Sequence, residues 1–303
     1  MSDESAVRVV YVATGEQYIR EAAASLKSLW RHNAGVPVTM YVDSASRASL
    51  EHLDMPSPPR EDLLEILRHP DPRYSWSDKP IALSQALYER VLYLDTDTRI
   101  CGSVMEIFDL LTVFDLAAAH APIRLDPRQP PAFAKQIPAT FPELNTGVVA
   151  FRLTTAVAEF LEQWRHTHLD LVQSTDQANV GDQAAFRVAL FNSRVRFSVL
   201  TPEYNCRFPF PTYVNGPVRI LHGRSHDLER IERKMNRISG PRVFVPGVGI
   251  LRIIPSLLWF QRRYQSWREQ GTLRILRKRL GRFLNPHRKA STSDTVSRRT
   301  QIP

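Results

Sequence analysis

Two carboxylates directly follow an apolar segment in the middle of the chain. Residues 91–94 are Val-Leu-Tyr-Leu, and Asp95 and Asp97 come next, separated by Thr96. This apolar run predicts a buried strand, and open α/β sheets bind ligands at the carboxyl ends of such strands. Adjacent carboxylates repel each other unless a cation neutralises them. The pattern therefore predicts a site for Mn²⁺ or Mg²⁺, which keeps open positions for a nucleotide diphosphate.

Two other interpretations of the aspartates remain open. Aspartate is common in surface turns, so an ordinary turn after a strand also accounts for Asp95 and Asp97. Haloacid-dehalogenase-like phosphatases place a nucleophilic aspartate and a second aspartate in a similar motif at a strand end. Those enzymes have threonine or valine where this chain has Arg99, and their motif follows the first strand, whereas most of a β-α-β unit precedes it here.

The segments that must position the aspartates alternate between strand and helix patterns. Residues 7–13 predict a strand, the apolar spacing over 19–30 predicts a helix, and residues 38–42 predict a second strand parallel to the first. The remaining predicted elements are a proline-rich excursion at 54–80 with one short helix near 61–68, a helix at 81–89, a loop at 122–142, strands at 90–94, 116–119, 147–151, 195–199 and 218–221, and helices from Thr154 or Thr155 to Val172 and from Asp182 to Phe191. This order is typical of an α/β fold, a mostly parallel open sheet with helices on both faces.

Several polar residues fall at the ends of these predicted elements. Taken singly, each has a plain structural interpretation: a turn before a strand for residues 145–147, a helix N-cap for Asp182, and helix packing for Tyr18. Lys79 on its own is a solvated side chain, and His222 on its own is a structural histidine. Their order along the chain carries more information than any one of them.

In this order the segments resemble a known family. Residues 7–228 resemble the GT-A-fold glycosyltransferases, most closely glycosyltransferase family eight and the glycogenin-like enzymes. The matching segments are Val9-Val-Tyr-Val-Ala-Thr14 with Tyr18 after it, Lys79, Asp95-Thr-Asp97, Leu144-Asn-Thr-Gly147-Val, Gly181-Asp-Gln183 and Val218-Arg-Ile-Leu-His222-Gly. The resemblance implies a GT-A fold and transfer of a sugar from a nucleotide diphosphate donor, with uridine as the expected base, to a hydroxyl group of a saccharide or lipid-linked acceptor.

The resemblance also implies roles for the matching residues. Asp95, Asp97 and His222 are expected to bind the metal, and a neutral imidazole favours Mn²⁺ over Mg²⁺. Asp182 and Gln183 are expected at the reactive face of the donor sugar, a pair that the family associates with retention of anomeric configuration. The residues expected to contact the nucleotide sugar are Ala13, Thr14, Tyr18, Lys79, Thr96, Asn145, Thr146, Gly147, Gly223 and Arg224.

Two departures from the family pattern concern the donor. Family eight usually continues its last histidine segment with glycine, lysine, proline and tryptophan, whereas this chain reads His222-Gly-Arg-Ser-His226. Arg224 then stands in for the lysine at the phosphate. Glycogenin-like proteins carry an acidic residue just after the Leu-Ala-Ala strand, and His120 stands there in this chain. The identity of the donor sugar therefore stays open.

Composition sets further bounds on the chain. Its 303 residues, 43% of them hydrophobic, are enough for one large α/β domain or two small ones. Cys101 and Cys206 are the only cysteines and cannot form a four-cysteine metal site. The start of the sequence, Met-Ser-Asp-Glu, has no signal-peptide pattern, so we expect free thiols and a cytoplasmic location.

Charge divides the chain into a body and a tail. Residues 1–230 carry 23 basic and 28 acidic side chains, a net charge of −5, whereas residues 231–303 carry 17 and 3, a net charge of +14. We therefore expect a transferase domain at 1–230, a basic tail at 231–284 and a disordered end at 285–303. A mildly acidic body with one basic tail does not suggest a nucleic-acid partner for the whole surface.

The tail has the composition of a helix that lies on a membrane. Residues 243–260 are apolar but contain Arg252 and two prolines, which makes them a poor spanning helix. Apolar and basic residues then alternate at helical spacing over 264–283, as expected for a helix at the interface of an anionic membrane. We expect peripheral attachment to the cytoplasmic face of a membrane. A helix packed on the body with a solvated basic face, or nucleic-acid binding, are the alternatives.

Overall fold

The computed structural model describes residues 7–51, 62–68, 71, 74–123, 137–175 and 180–252, with residues 264–266, 271–272 and 274 of the tail. The chain divides into two compact units, residues 1–252 and residues 253–303. The architecture below is that of the first unit. Most of the predicted tail helix, the end at 285–303 that the sequence predicts to be disordered and part of the predicted loop at 122–142 lie outside the described residues. None of the helices within the described residues has the length and apolar composition needed to span a membrane.

A seven-stranded sheet in the order β3-β2-β1-β4-β7-β6-β8 forms the centre of this unit. Strand β7 runs antiparallel to both of its neighbours, and all the other pairings in this sheet are parallel. The strands are β1 (Val7–Ala13), β2 (Val38–Val42), β3 (Leu63–Glu65), β4 (Arg90–Leu94), β6 (Leu116–His120), β7 (Leu144–Arg152) and β8 (Phe197–Leu200).

Helices cover both faces of this sheet. Val9 and Leu92 of the central strands pack in one hydrophobic cluster with α1, whereas Val10 and Val91 pack in a second cluster on the other face. Successive side chains of a strand point to opposite faces, so these two strands are buried on both sides. The α/β fold class predicted from the sequence is therefore confirmed. The helices are α1 (Glu16–His32), α2 (Ser44–Glu51), α3 (Asp78–Ser84), α4 (Glu106–Leu110), α5 (Thr155–Gln173), α6 (Gln183–Asn192) and α7 (Leu228–Asn236).

Two small sheets complete the unit. Strands β5 (Thr98–Ile100) and β10 (Ile220–His222) pair antiparallel with each other. Strands β9 (Thr212–Val214), β11 (Arg242–Val245) and β12 (Gly249–Arg252) form a three-stranded antiparallel sheet. The prediction that a strand at 218–221 would complete the main sheet was wrong, because those residues continue into β10, which pairs with β5 beside the end of β4.

Other elements differ from prediction for local reasons. Residues 63–65 form strand β3 rather than a helix, because Leu63 and Leu64 pair with Met40 and Tyr41 of β2, and pairing with a partner strand outweighs intrinsic helix propensity even for leucine. Helix α3 begins at Asp78 and ends at Ser84, earlier than the predicted helix at 81–89. The helix from Thr155 is confirmed, since the Thr154 side chain accepts a hydrogen bond from the Val157 amide as an N-cap.

Asp115 joins three strands at the end of the sheet farthest from the aspartate pair. Its carboxylate accepts hydrogen bonds from two guanidinium groups at 2.8–3.1 Å. One belongs to Arg152, the last residue of β7, and the other to Arg196, which directly precedes β8. It also accepts one from the Arg196 amide. Hydrogen bonds from Arg196 and Arg152 hold the pKa of Asp115 well below its usual range.

We expect Asp115→Asn to lower the free energy of unfolding by about 1–3 kcal/mol at pH 7, because it removes a buried charged acceptor. The folded pKa lies well below the unfolded value of about 3.9, so this contribution is fully present above about pH 5, begins to fall below pH 4 and is lost only as the pH falls through the folded pKa; at pH 3 the difference between the variants should therefore be smaller but still present. Urea unfolding at pH 7 and at pH 3 would measure it. Asp109→Asn, at an exposed position on α4, is the control; an equal loss for the two variants at pH 7 would contradict the expectation.

Candidate metal and nucleotide-sugar site

The predicted aspartates and histidine meet at the end of β4. Asp95 and Asp97 lie in the turn between β4 and β5, and His222 is the last residue of β10. The His222 Nε2 atom lies 3.4 Å from the nearer Asp95 oxygen and 3.3 Å from the nearer Asp97 oxygen. One ligand atom from each of the three residues lies within 4.8 Å of the others, as a shared metal ion requires.

Strand pairing brings His222 to the aspartates. In the antiparallel pair of β5 and β10, His222 is opposite Thr98, the first residue after Asp97. The Gly223 amide then donates to the Asp97 carbonyl oxygen at 2.9 Å. Gly223 has a φ of 134°, a conformation that favours glycine, and a Cβ there would lie 2.6 Å from the Pro209 ring.

Gly147 leaves the space that the three side chains occupy. It lies on β7 beside the end of β4, where its carbonyl oxygen accepts a 2.8 Å hydrogen bond from the Asp95 amide. A Cβ on Gly147 would overlap the His222 ring and would lie 2.6 Å from the Asp95 carboxylate. Taken singly, residues 145–147 suggest a turn before a strand, but in the structure they lie within strand β7 itself.

A chain of side-chain amides sets the tautomer of His222. Its Nδ1 atom lies 2.8 Å from Asn205 Oδ1, and Asn205 in turn donates from Nδ2 to Asn145 Oδ1 at 2.9 Å. The Gly147 amide also donates to Asn145 Oδ1, at 3.2 Å, which identifies this atom as the acceptor. Because Asn205 Oδ1 accepts, Nδ1 of His222 carries a proton, and Nε2 is the ring nitrogen that faces the carboxylates and is left to bind a cation. Two carboxylates and one such imidazole fit Mn²⁺.

We expect Asn205→Ala to weaken Mn²⁺ binding about 10- to 100-fold, because the second partner of a ligating histidine orients the ring and selects its tautomer. Titration of the full chain with Mn²⁺, followed by electron paramagnetic resonance, measures this affinity directly. Asn192→Ala is the matched control, since Asn192 is exposed and only donates to the Val188 carbonyl on its own helix. Equal Mn²⁺ affinity in both variants would show that the Asn205 contact does not support the site.

Lys79 lies between two carboxylates in the same cavity. Its Nζ atom is 3.1 Å from Asp95 and 3.2 Å from Asp182, and it donates to Thr146 at 3.3 Å. Burial favours the neutral amine, but Asp182 and Asp95 outweigh it and raise the pKa of Lys79, so the ammonium form persists. Burial likewise disfavours the charged form of Asp95, yet Lys79 and His222 hold the pKa of that carboxyl below its usual range. The cavity therefore contains fixed charges of both signs.

Asp182 and Gln183 lie at the start of α6. The Asp182 side chain makes no capping hydrogen bond, and instead accepts one from the Thr146 hydroxyl at 3.3 Å. The buried Trp164 indole donates to the Asp182 carbonyl oxygen at 3.0 Å, which fixes the start of the helix. Gln183 accepts from Asn145 Nδ2 at 3.2 Å and donates to the buried Glu143. The predicted reactive pair is thus hydrogen-bonded to the segment that precedes Gly147.

The other end of the cavity is formed by the end of β1 and the start of α1. The Thr14 hydroxyl donates to Asp78 at 2.6 Å, and the Ala13 side chain is buried in the core. The Tyr18 ring is 39% exposed, and the Arg224 guanidinium lies 5.7 Å from its centroid. Arg224 also donates two hydrogen bonds to Glu21, at 2.7 and 3.0 Å.

A cavity of about 830 Å³ joins these groups, a volume suited to a nucleotide sugar. Of the fifteen predicted site residues, only Ala13, Gly147 and Gly223 do not line it. The lining residues are Thr14, Tyr18, Lys79, Asp95, Thr96, Asp97, Asn145, Thr146, Asp182, Gln183, His222 and Arg224.

Sequence reasoning missed other residues that line the cavity or contact its lining residues. Tyr93 donates to Asp95 at 2.6 Å, and Glu21 accepts from Thr96 at 2.9 Å. The sequence could have predicted Tyr93 at the site, because it precedes Asp95 by two positions and so lies on the same face of the strand. No sequence pattern could have predicted Asn205 or Arg207, because they lie on an irregular segment after β8 that only the tertiary fold brings to the site.

The chain matches no protein-family model and no curated protein. The solved structures to which it is similar include mouse xyloside xylosyltransferase 1 in its apo form, with 16% identity, 72% of this chain and 97% of that chain covered, and a TM-score of 0.47. Galactosyltransferase LgtC in complex with donor and acceptor sugar analogues has 15% identity, coverages of 72% and 87%, and a TM-score of 0.45. The apo form of the glycosyltransferase GlyE of Streptococcus pneumoniae has 21% identity, coverages of 77% and 57%, and a TM-score of 0.46.

Proposed function

We propose that this chain is a metal-dependent glycosyltransferase that uses a nucleotide diphosphate sugar. The observation that carries the proposal is the cluster of Asp95, Asp97 and His222 in the wall of a cavity large enough for such a donor. The reaction breaks the bond between the anomeric carbon and the diphosphate oxygen and forms a bond from that carbon to an acceptor oxygen. The hydroxyl proton of the acceptor is released, and a nucleoside diphosphate leaves.

Asp95, Asp97 and His222 would hold the cation, and Mn²⁺ suits this set of ligands better than Mg²⁺. When bound, such an ion neutralises charge that develops on the leaving diphosphate. Lys79 supplies a second positive charge at the same carboxylates, and Arg224 a third at 3.7 Å from Asp97. These side chains are already held in place, so they can stabilise the leaving group without reorganisation.

The remaining residues divide between the two ends of the donor. Thr14 and Tyr18 offer a hydroxyl and an exposed aromatic face to the nucleoside, for which we propose uridine. Asn145 and Thr146 offer an amide and a hydroxyl to the sugar. Asp182 places a carboxylate near the anomeric carbon, where positive charge develops in the transition state, and with Gln183 favours retention of configuration.

Release of nucleoside diphosphate tests the proposal directly. The full chain is incubated with a panel of nucleotide sugars, with Mn²⁺ or with a chelator, and release is measured with and without simple sugar acceptors. We expect release from one class of donor, abolished by the chelator. Binding of donors without release would instead indicate a non-catalytic sugar-nucleotide-binding or scaffolding protein, and hydrolysis of a simple phosphomonoester with no effect on nucleotide sugars would indicate a phosphatase.

We further propose that the basic tail attaches the protein to the cytoplasmic face of a membrane, where the acceptor is presented. Each basic side chain near an anionic leaflet contributes about 1 kcal/mol, so replacing Arg274, Arg277, Lys278 and Arg282 by glutamine should abolish flotation with vesicles that contain anionic lipid. Replacing Arg288, Lys289, Arg298 and Arg299 by glutamine removes the same charge outside the amphipathic segment and should preserve most of the flotation. Equal flotation of both variants would argue against this role for the segment.

A further inference from the structure

One arginine in the main cavity has no role in the site described so far. Arg207 lines the cavity on the segment after β8, two residues beyond Asn205. Its side chain is half-buried, and its Nε atom is buried without a hydrogen-bond partner. A guanidinium donor removed from water without an acceptor is unfavourable, so this position favours a ligand that supplies one.

The other cations of the cavity are committed to carboxylates. Lys79 contacts Asp95 and Asp182, and Arg224 contacts Glu21. Arg207 lies 5.9 Å from the centroid of the Phe210 ring and forms an ion pair with none of the carboxylates in the described part of the chain. Its positive charge is therefore available to a ligand, and its planar fork of donors suits a carboxylate or a phosphate.

The sheet order indicates which part of a ligand Arg207 would meet. Thr14 follows β1, Asp95 follows β4 and Asn145 lies on β7, so the proposed contacts to nucleoside, diphosphate and sugar follow the strand order β1-β4-β7. Arg207 lies on the segment after β8, which returns to the end of β4: Cys206 pairs with Leu221 of β10, and the Asn205 side chain donates to Asn145 on β7. The Cys206 carbonyl accepts from the His222 amide at 3.0 Å and ties this segment to the metal cluster. Because Arg207 follows the residues that contact Asn145 and His222, we assign it to the sugar end of the cavity and not to the nucleoside end.

We propose that Arg207 binds an anionic group of the acceptor, a carboxylate or a phosphate, so that the acceptor is an acidic saccharide or a sugar phosphate. This inference rests on the proposed glycosyltransferase function. Phe210 beside the guanidinium offers an apolar surface to a sugar ring, as aromatic side chains in ligand sites commonly do. Arg207 is then a specificity-determining residue for the acceptor and has no part in binding the donor.

Matched acceptors test this assignment. Methyl glucoside and methyl galactoside are each compared with the corresponding uronate and the corresponding 6-phosphate, with a donor from which release has been observed. We expect kcat/KM to be about 10- to 100-fold higher for one anionic form than for the neutral form, the range of a charge-assisted hydrogen bond, and the two anionic arms identify which group is recognised. Arg207→Gln should remove this preference, and Arg207→Lys should restore part of it.

Acceptor-free hydrolysis of the donor separates the two substrates. Arg207→Gln should leave its kcat and the donor KM within about twofold of the unchanged chain. Arg165→Gln is the control for loss of one arginine, since Arg165 lies on α5 outside the cavity and contacts Glu162 and His166 of its own helix. A raised donor KM in Arg207→Gln, or equal use of neutral and anionic acceptors by the unchanged chain, would overturn the proposal.

Calorimetry provides a measurement that does not need turnover. The full chain is saturated with uridine diphosphate and Mn²⁺ and titrated with the same methyl glycosides, and we expect one anionic form to bind at least about tenfold more tightly than the neutral form. Equal affinities would overturn the role of Arg207. Failure of the chain to bind any nucleoside diphosphate would count against the proposed function, and titration without nucleotide would then still report whether Arg207 selects anions.

Discussion

Replacing Asp97 by asparagine is expected to reduce nucleoside diphosphate release by at least about 100-fold, with a parallel loss of Mn²⁺ affinity. Asp97 contributes one of the two carboxylates of the cluster, and its oxygen lies 3.3 Å from the Nε2 atom of His222. Asparagine preserves the shape of the side chain and removes its charge. The loss therefore reports on electrostatics and not on packing, and circular dichroism should show an unchanged fold.

Asp109→Asn is the matched control, because it removes a carboxylate from an exposed position on α4 outside the cavity. It should keep both Mn²⁺ affinity and release. The two measurements on Asp97→Asn also separate two interpretations of the site. Loss of release with unchanged Mn²⁺ affinity would mean that Asp97 contacts substrate, and unchanged release would remove Asp97 from the mechanism altogether.

Much of the metal cluster is predictable from sequence, because Asp95 directly follows one short apolar strand, with Asp97 two residues later, and His222 ends another. In an α/β sheet the ends of neighbouring strands meet at one edge, so residues at those ends are brought together by the topology itself. Asp95 needed no further information than this, whereas His222 was assigned from the family resemblance and reaches the aspartates through the pairing of β10 with β5. Asn205 is different, because it lies on an irregular segment and reaches the site only through its hydrogen bonds to His222 and Asn145.

The same distinction explains the errors in the predicted fold. Residues 63–65 have too few apolar positions for their period to be read, and their pairing with β2 decides their structure. The strand that ends at His222 was predicted correctly in kind and assigned to the wrong sheet, because its partner β5 contains only three residues. Local pattern specifies long elements such as α5, whereas short strands take their structure from their partners.

Gly147→Ala is expected to have the second large effect, and it tests the close packing of the site. The added Cβ would overlap the His222 ring and approach the Asp95 carboxylate to 2.6 Å, so both side chains must shift to accommodate it. Overpacking of this kind costs about 1–3 kcal/mol of folding free energy. Because the ring and the carboxylate must also separate, we expect Mn²⁺ affinity to fall below detection and nucleoside diphosphate release to cease.

Gly240→Ala is the control, since a Cβ there meets no atom within 4 Å and the backbone conformation is ordinary. It should leave unfolding, Mn²⁺ affinity and release unchanged. The double variant Gly147→Ala with His222→Ala distinguishes steric from chemical loss, because removal of the ring makes room for the new methyl group. Its stability should recover most of the loss caused by Gly147→Ala, while Mn²⁺ binding stays absent. Full Mn²⁺ affinity in Gly147→Ala alone would mean that His222 and Asp95 do not share one ion.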